Sequence, residues 1–365
     1  MQIKDLTNYL ESIAPSSYQE NYDNSGLIVG DYNREIHKAL ISLDCTEAIV
    51  DEAIATSCDI IVSHHPIVFK GLKRFNGSNY VERVVIKAIA NNIALYAIHT
   101  NLDSVSTGVN AKICEKIGLI NCKILEPKNG ILKKLCFFIP LDFAENVKAA
   151  IFNAGAGEIG NYSNCSFAVS GEGTFKANDK AEPFVGEKSK IHKEQEQRIE
   201  VIYPAPAESK ILKALINAHP YEEVAYDIYN LANSHQDVGA GMVGELAAEM
   251  DALDFLKHLK KAMDLKLIRH TEILPKRIKT VAVCGGSGSF LLNNAIKANA
   301  DVFVTADFKY HEFFDAEDKL IIADIGHFES EQFTQELLLD IITEKFPNFA
   351  IRLTENNTNP IKYLS

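Results

Sequence analysis

HKALISLDCTEAIVDEAIATSCDIIVSHHP, residues 37–66, reads as a strand, a helix and a second strand. The apolar stretches at 37–44 and 59–63 have the length of buried strands. Between them Thr46 stands where an N-cap would start a helix over 47–56. Strand, helix and strand at such short intervals predict parallel pairing in an α/β fold. The second strand runs directly into His64, His65 and Pro66. Proline has no N–H for a sheet, so the strand is expected to end there. Successive strand residues point to opposite faces, so the two imidazoles converge only if it has ended. Functional groups in open α/β sheets gather beyond the carboxyl ends of strands.

The same alternation extends outward. Residues 2–14 have the spacing of an amphipathic helix closed by Pro15, and 22–30 (YDNSGLIVG) read as a turn into a short strand. A helix is expected over 80–92, a strand over 93–98 and a helix over 107–117. The pattern returns near residue 279, with strands over 279–284, 301–305 and 320–324 and helices over 289–298, 308–314 and 330–345. The stretch between has another character: a small-residue turn at 154–157, a glycine- and lysine-rich run over 171–193, a strand over 198–203 and a helix over 209–218. Its order suits a ferredoxin-like α+β unit. The expected organisation is a first α/β lobe, 1–125, an inserted domain, 126–235, and a second α/β lobe, 236–365.

The chain has 365 residues, 24% charged and 47% hydrophobic, which suits a globular protein of two or three domains. Its net charge of -12 argues against a general nucleic-acid binder. It leaves room for a phosphorylated small molecule, since a bound metal supplies local positive charge. Seven cysteines, odd in number and without Cys-x-x-Cys spacing, predict a reduced, cytoplasmic protein. No run is apolar enough for a signal peptide or a membrane span.

Candidate chemistry lies at three strand ends. His64 and His65 follow one strand, His99 and Asp103 (IHTNLD, 98–103) a second, His327 and Glu331 (DIGHFESE, 324–331) a third. His327 and Glu331 are four apart and address one centre if that turn is helical. Imidazole nitrogen and carboxylate oxygen suit Zn, Mn, Fe or Co. The three imidazoles of His64, His65 and His327, with Asp103 and Glu331, exceed what one tetrahedral zinc needs. They suit two divalent ions roughly 3.5–4 Å apart if a carboxylate bridges. His99 either orients a ligand or packs under the loop. Asp44 reads as the start of the Thr46-capped turn, and His37, His192, His235, His258 and His270 as structural. VCGGSGS (283–289) is either a phosphate cradle at a helix N-terminus or a tight turn without ligand; it lacks the Gly-Lys-Ser/Thr of a P-loop. Asp307, Tyr310 and His311 lie beyond another strand end, where they either line a pocket and donate protons or open a capped, solvated helix.

Together DNSG (23–26), SHHP (63–66), HTNLD (99–103), GMVGEL (241–246), GGSG (285–288), DFKYHE (307–312) and GHFESE (326–331) resemble, in order and over nearly the whole chain, the GTP cyclohydrolase 1 type 2 homologue family, the NIF3-like proteins. The middle segment resembles the inserted CutA/PII-like domain of the longer bacterial members, on GNYS (160–163), GEGTF (171–175) and HPYEE (219–223). The resemblance implies a two-lobed α/β fold interrupted by that insert. It also implies a two-metal centre held by His64, His65, Asp103, His327 and Glu331, and a ring-shaped homohexamer with the sites facing an internal cavity. One departure is Ala306, where the family commonly has glycine. The function expected is a metal-dependent hydrolase acting on a C–N or phosphoester bond of a nucleotide-like small molecule, GTP ring opening among the candidates, with His99 and His311 as candidate proton carriers. The alternative is a non-catalytic, metal-binding regulatory protein that binds an effector through the insert.

Overall fold

The strand–helix–strand stretch of residues 37–66 lies at the centre of a five-stranded sheet in the computed structural model, which describes residues 1–364. Leading into it, α1 (Ile3–Ile13) buries Ile3, Leu6, Thr7 and Leu10, the spacing of one helix face. β1 (Gly26–Val29) and β2 (Lys38–Ser42) follow. α2 (Glu47–Ala55) starts at Thr46, whose side chain accepts a hydrogen bond from Ile49 N. Then come β3 (Ile60–Ser63), α3 (Tyr80–Ala90) and β4 (Ala94–Ala97). β2, β3 and β4 pair in parallel, and β1 closes one edge antiparallel. Nearly every residue of the three parallel strands is buried, as their continuous apolar character requires. A single turn, α4 (Thr100–Asp103), follows β4, and α5 (Val109–Ile117) follows that.

β5 (Leu119–Lys128) ends where a second compact unit begins. That unit, Lys128–Gln236, covers nearly the stretch expected as an insert, 126–235. It contains β6 (Leu132–Pro140), α6 (Ala144–Asn153), β7 (Ser166–Lys176), β8 (Ile191–Pro204), α7 (Glu208–Ala218) and β9 (Tyr226–Asn230). The strands lie in the order β7-β8-β6-β9, every neighbour antiparallel, which is the split βαβ arrangement of a ferredoxin-like fold. Leu135, Phe137 and Ile139 of β6 and Ile199 and Val201 of β8 alternate onto one face. They pack there with Val147 and Ile151 of α6 and Ile211 and Leu215 of α7.

The remaining elements return to the first unit: β10 (His235–Asp251), α8 (Ala252–Ala262), β11 (Arg269–His270), β12 (Arg277–Ser287), α9 (Leu292–Lys297), β13 (Val302–Ala306), β14 (Ile321–Asp324), α10 (His327–Glu331), α11 (Thr334–Lys345) and β15 (Ala350–Leu353). A six-stranded sheet runs β11-β14-β13-β12-β10-β5, with β12, β13 and β14 parallel. Two strands cross between the lobes expected at 1–125 and 236–365. β15, near the C-terminus, pairs in parallel with β2 of the first sheet, and β5, from the N-terminal half, joins the second. Both lobes fall within one compact unit. The helix expected over 308–314 is a 3-10 segment, Tyr310–Ala316. Among the described residues no helix is long and apolar enough to cross a membrane.

Candidate metal centre

β3 ends at Ser63, so His64 and His65 leave the pleat before their rings diverge. α10 begins at His327, so its first turn already places Glu331 on the same face. Asp103 closes the turn after β4. These three strand ends bring His64, His65, Asp103, His327 and Glu331 together. His65, His327 and Glu331 form one group of ligand atoms within 4.8 Å of one another, and His64, Asp103 and Glu331 form a second. Glu331 belongs to both. Its Oε1 lies 3.9 Å from His64 Nε2. Its Oε2 lies 3.0 Å from His65 Nε2 and 3.3 Å from His327 Nε2. His99 joins His64 and His65 in a third group, its ring 5.2 Å from each of theirs.

Each imidazole is held by its outer nitrogen. His64 Nδ1 lies 2.8 Å from the Ile98 carbonyl. His65 Nδ1 lies 2.8 Å from Asp44 Oδ1, His327 Nδ1 2.7 Å from Asp307 Oδ2, and His99 Nδ1 2.8 Å from Asp23 Oδ1. A carbonyl or carboxylate only accepts, so Nδ1 is the donor and Nε2 turns inward. Backbone or carboxylate support of this kind fixes tautomer and ring orientation in metal sites. Two inward atoms lack a hydrogen-bond partner: His64 Nε2 and Asp103 Oδ1 are buried, unpaired and 3.6 Å apart. Buried polar atoms are normally paired. Two orphans of ligand type facing each other beside the Glu331 carboxylate fit a cation between them.

The electrostatics agree. Burial would push Glu331 up, but the surrounding imidazoles of His327, His64 and His65 hold it well below the usual carboxylate range. Burial would lower His65, yet Asp44 and Glu331 raise it to about 10; His327 likewise reaches about 9 through Glu331 and Asp307. Asp103 is pushed up to about 7 by burial and by the nearby Glu331 charge. Without an ion, protons supply the positive charge that the carboxylates demand. Burial, Asp103 and Glu331 drive the Cys284 thiol far up, and it is not among the three groups of converging ligand atoms.

A family model described as DUF34/NIF3 (NGG1p interacting factor 3) matches residues 1–360. The chain belongs to the DUF34/NIF3 family. A Bacillus subtilis relative named GTP cyclohydrolase 1 type 2 homolog is 36% identical over 365 residues, covering 98% of each chain. The crystal structure of a Bacillus cereus protein related to NIF3 superposes with a TM-score of 0.86 at 37% identity, over 100% of this chain and 99% of that one. A Staphylococcus aureus protein superposes with a TM-score of 0.78 at 29% identity, over the same shares.

Within this NIF3 fold some residues take places that the sequence did not reveal. Asp44 does more than open the turn capped by Thr46: it anchors His65. Asp23, in the DNSG turn, anchors His99 and accepts from Thr100 N at 3.0 Å. His99 and Thr100 outweigh the burial of that carboxyl and hold it far below its usual range. Asp307 has a φ of 59° and reaches His327 from the left-handed region. Ala306 is not among the residues of positive φ, so alanine fits where the family commonly has glycine. His311 lies apart from these groups, exposed, its ring 5.1 Å from that of Tyr310. Two amides of the glycine-rich turn are occupied: Gly285 N donates to Asn110 Oδ1 and Gly286 N to Ser330 Oγ, both at 2.9 Å. A Cβ at Gly286, where φ is 61°, would stand 2.4 Å from Glu331 Oε1. That glycine makes room for the shared carboxylate.

Proposed function

We propose that this NIF3-family chain is a dinuclear metal protein and a metal-dependent hydrolase of a nucleotide-like small molecule. The observation that carries the reading is Glu331, whose two oxygens face two ligand groups: His64 and Asp103 on one side, His65 and His327 on the other. Two divalent ions, Zn, Fe, Mn or Co by the donor set, would supply Lewis acidity and a more acidic water. The chain's own residues supply orientation and proton handling. Asp44, Asp307 and the Ile98 carbonyl keep three Nε2 atoms aimed inward. Asp23 fixes His99 and leaves its Nε2 free to carry a proton at the edge of the cluster. His311 stands outside the cluster and is given no proton-carrying role in this reading. Phe69 lies edge-on to His99 at 5.7 Å and is half-exposed, an apolar surface for a planar ring. Lys70, Lys73 and Arg74 follow on the same loop, exposed and without an ion pair among the described residues, which suits a phosphate.

The second reading is a non-catalytic regulatory protein that binds an effector through a CutA/PII-like insert. The observation favouring it is the separate core and split βαβ topology of Lys128–Gln236. Metal-loaded protein assayed against a nucleotide panel decides between them. Turnover that His64→Ala abolishes supports the hydrolase, and full metal occupancy without turnover supports the regulator. A homohexamer in the cytoplasm, with no nucleic-acid partner, completes the proposal; light scattering on the purified protein tests the assembly.

A further inference from the structure

The segment after β15 is a polar run, Thr354-Glu-Asn-Asn-Thr-Asn-Pro-Ile-Lys-Tyr363, and it touches three carboxylates in turn. Thr354 and Asn356 donate to Glu52 of α2, Asn356 Nδ2 at 2.8 Å from Oε2. Thr358 Oγ1 donates to Asp44 Oδ2 at 2.5 Å. Asn359 Nδ2 and Tyr363 Oη donate to Glu329 Oε1 at 2.9 and 3.1 Å. The last two carboxylates belong to the surroundings of the metal centre. Asp44 uses its other oxygen to hold His65 Nδ1, and Glu329 lies in α10 between His327 and Glu331.

We infer that residues 354–363 are a positioning strap for the metal centre, with Thr358 acting on His65 through Asp44. A carboxylate held at one oxygen can still swing about its terminal bond, and its imidazole partner swings with it. Thr358 pins the second oxygen, so Asp44 presents Oδ1 in one direction and His65 keeps Nε2 at 3.0 Å from Glu331 Oε2. Tyr363 and Asn359 do the corresponding work for α10. The same hydroxyl draws charge away from Asp44 and so makes His65 a slightly weaker base, which opposes binding. Orientation outweighs this, because a ligand turned away loses its bond entirely while a weaker base loses a fraction of it. β15 sits beside β2 in the first sheet, so the strap starts from a fixed point.

This inference rests on the metal-centre reading, and the test separates the two. Protein stripped of metal is titrated with zinc against a chromophoric chelator. Thr358→Val, which keeps shape and removes the donor, is expected to weaken zinc binding by about 3- to 10-fold. That is less than the roughly 10- to 100-fold expected for loss of a direct outer partner in Asp44→Ala. Thr358→Ser, which restores the hydroxyl, is expected to bind as wild type. Thr358→Val in the Asp44→Ala background is expected to add no further loss, as coupled positions behave. Thr358→Val binding like wild type overturns the inference. So does a loss that serine fails to rescue, or one that adds in full to Asp44→Ala. A wild-type protein that takes up none of zinc, iron, manganese or cobalt overturns the metal-centre reading itself, and the strap with it.

Discussion

Replacing Glu331 by glutamine keeps the shape of the shared ligand and removes its charge, and the consequence is clearest in the metal-free protein. His65 there has a pKa of about 10 against an ordinary 6.5, burial pulling it down and Asp44 and Glu331 pushing it further up. A pKa raised on folding adds stability that is fully present below about pH 6.5 and is lost as the pH climbs toward 10. At 1.36 kcal/mol per pH unit the whole interval is worth about 5 kcal/mol, of which about 3 kcal/mol goes between pH 6.5 and 8.5. His327 acts with the same sign, discounted because its side chain is 38% exposed. Asp103, raised to about 7 from 3.8, costs stability as the pH rises between those values, because the unfolded carboxyl ionises first, and so adds little above pH 7. In a chain of this length one kcal/mol moves Tm by about 1–2 °C. The Tm of chelator-treated wild type should therefore fall by on the order of 3–5 °C from pH 6.5 to 8.5. In Glu331→Gln, with one of the two carboxylates holding the proton gone, the fall should shrink by half or more. Differential scanning fluorimetry at three pH values measures both. A wild-type midpoint that stays level, or falls no more than that of Glu331→Gln, refutes the reasoning.

Zinc affinity should run the other way and rise from pH 6.5 to 8.5, because His65 and His327 must release protons to bind; chelator competition at the two pH values checks it. Zinc at a thousand times its Kd should raise the stability of the metal-free protein by about 4 kcal/mol, seen as a higher Tm that chelator reverses. Gly286→Ala places a Cβ against Glu331 Oε1 in a left-handed conformation. It should cost about 1–2 kcal/mol from the backbone alone and lower metal content, measured by elemental analysis. Asp307→Ala releases His327 Nδ1 and should weaken binding by about 10- to 100-fold, read in the same chelator competition.

The candidate site was legible in the sequence wherever its side chains sat at strand ends. SHHP showed two imidazoles where an apolar run stops, and GHFESE showed a histidine and a glutamate one helical turn apart. What the sequence concealed depends on long-range contact. Asp44 looks like the lead-in to a capped turn, and Thr46 does cap α2. Its second role needs His65, 21 residues on, and Thr358, 314 residues on. Asp23 reads as a turn residue until the fold brings His99 against it, 76 residues away. The exchange of β5 and β15 between sheets was hidden for the same reason, since local pattern names a strand but not its neighbour. The glycine-rich turn was ambiguous because phosphate binding and side-chain clearance both call for glycine. The side chain it clears is Glu331.

Anomalous scattering at the metal edges, on crystals of protein purified without added metal, tests the dinuclear centre most directly. The account predicts two peaks roughly 3.5–4 Å apart, one beside His64 and Asp103 and one beside His65 and His327, with Glu331 reaching both. A single peak bound without Glu331, or metal bound elsewhere while these five side chains stay empty, would contradict it.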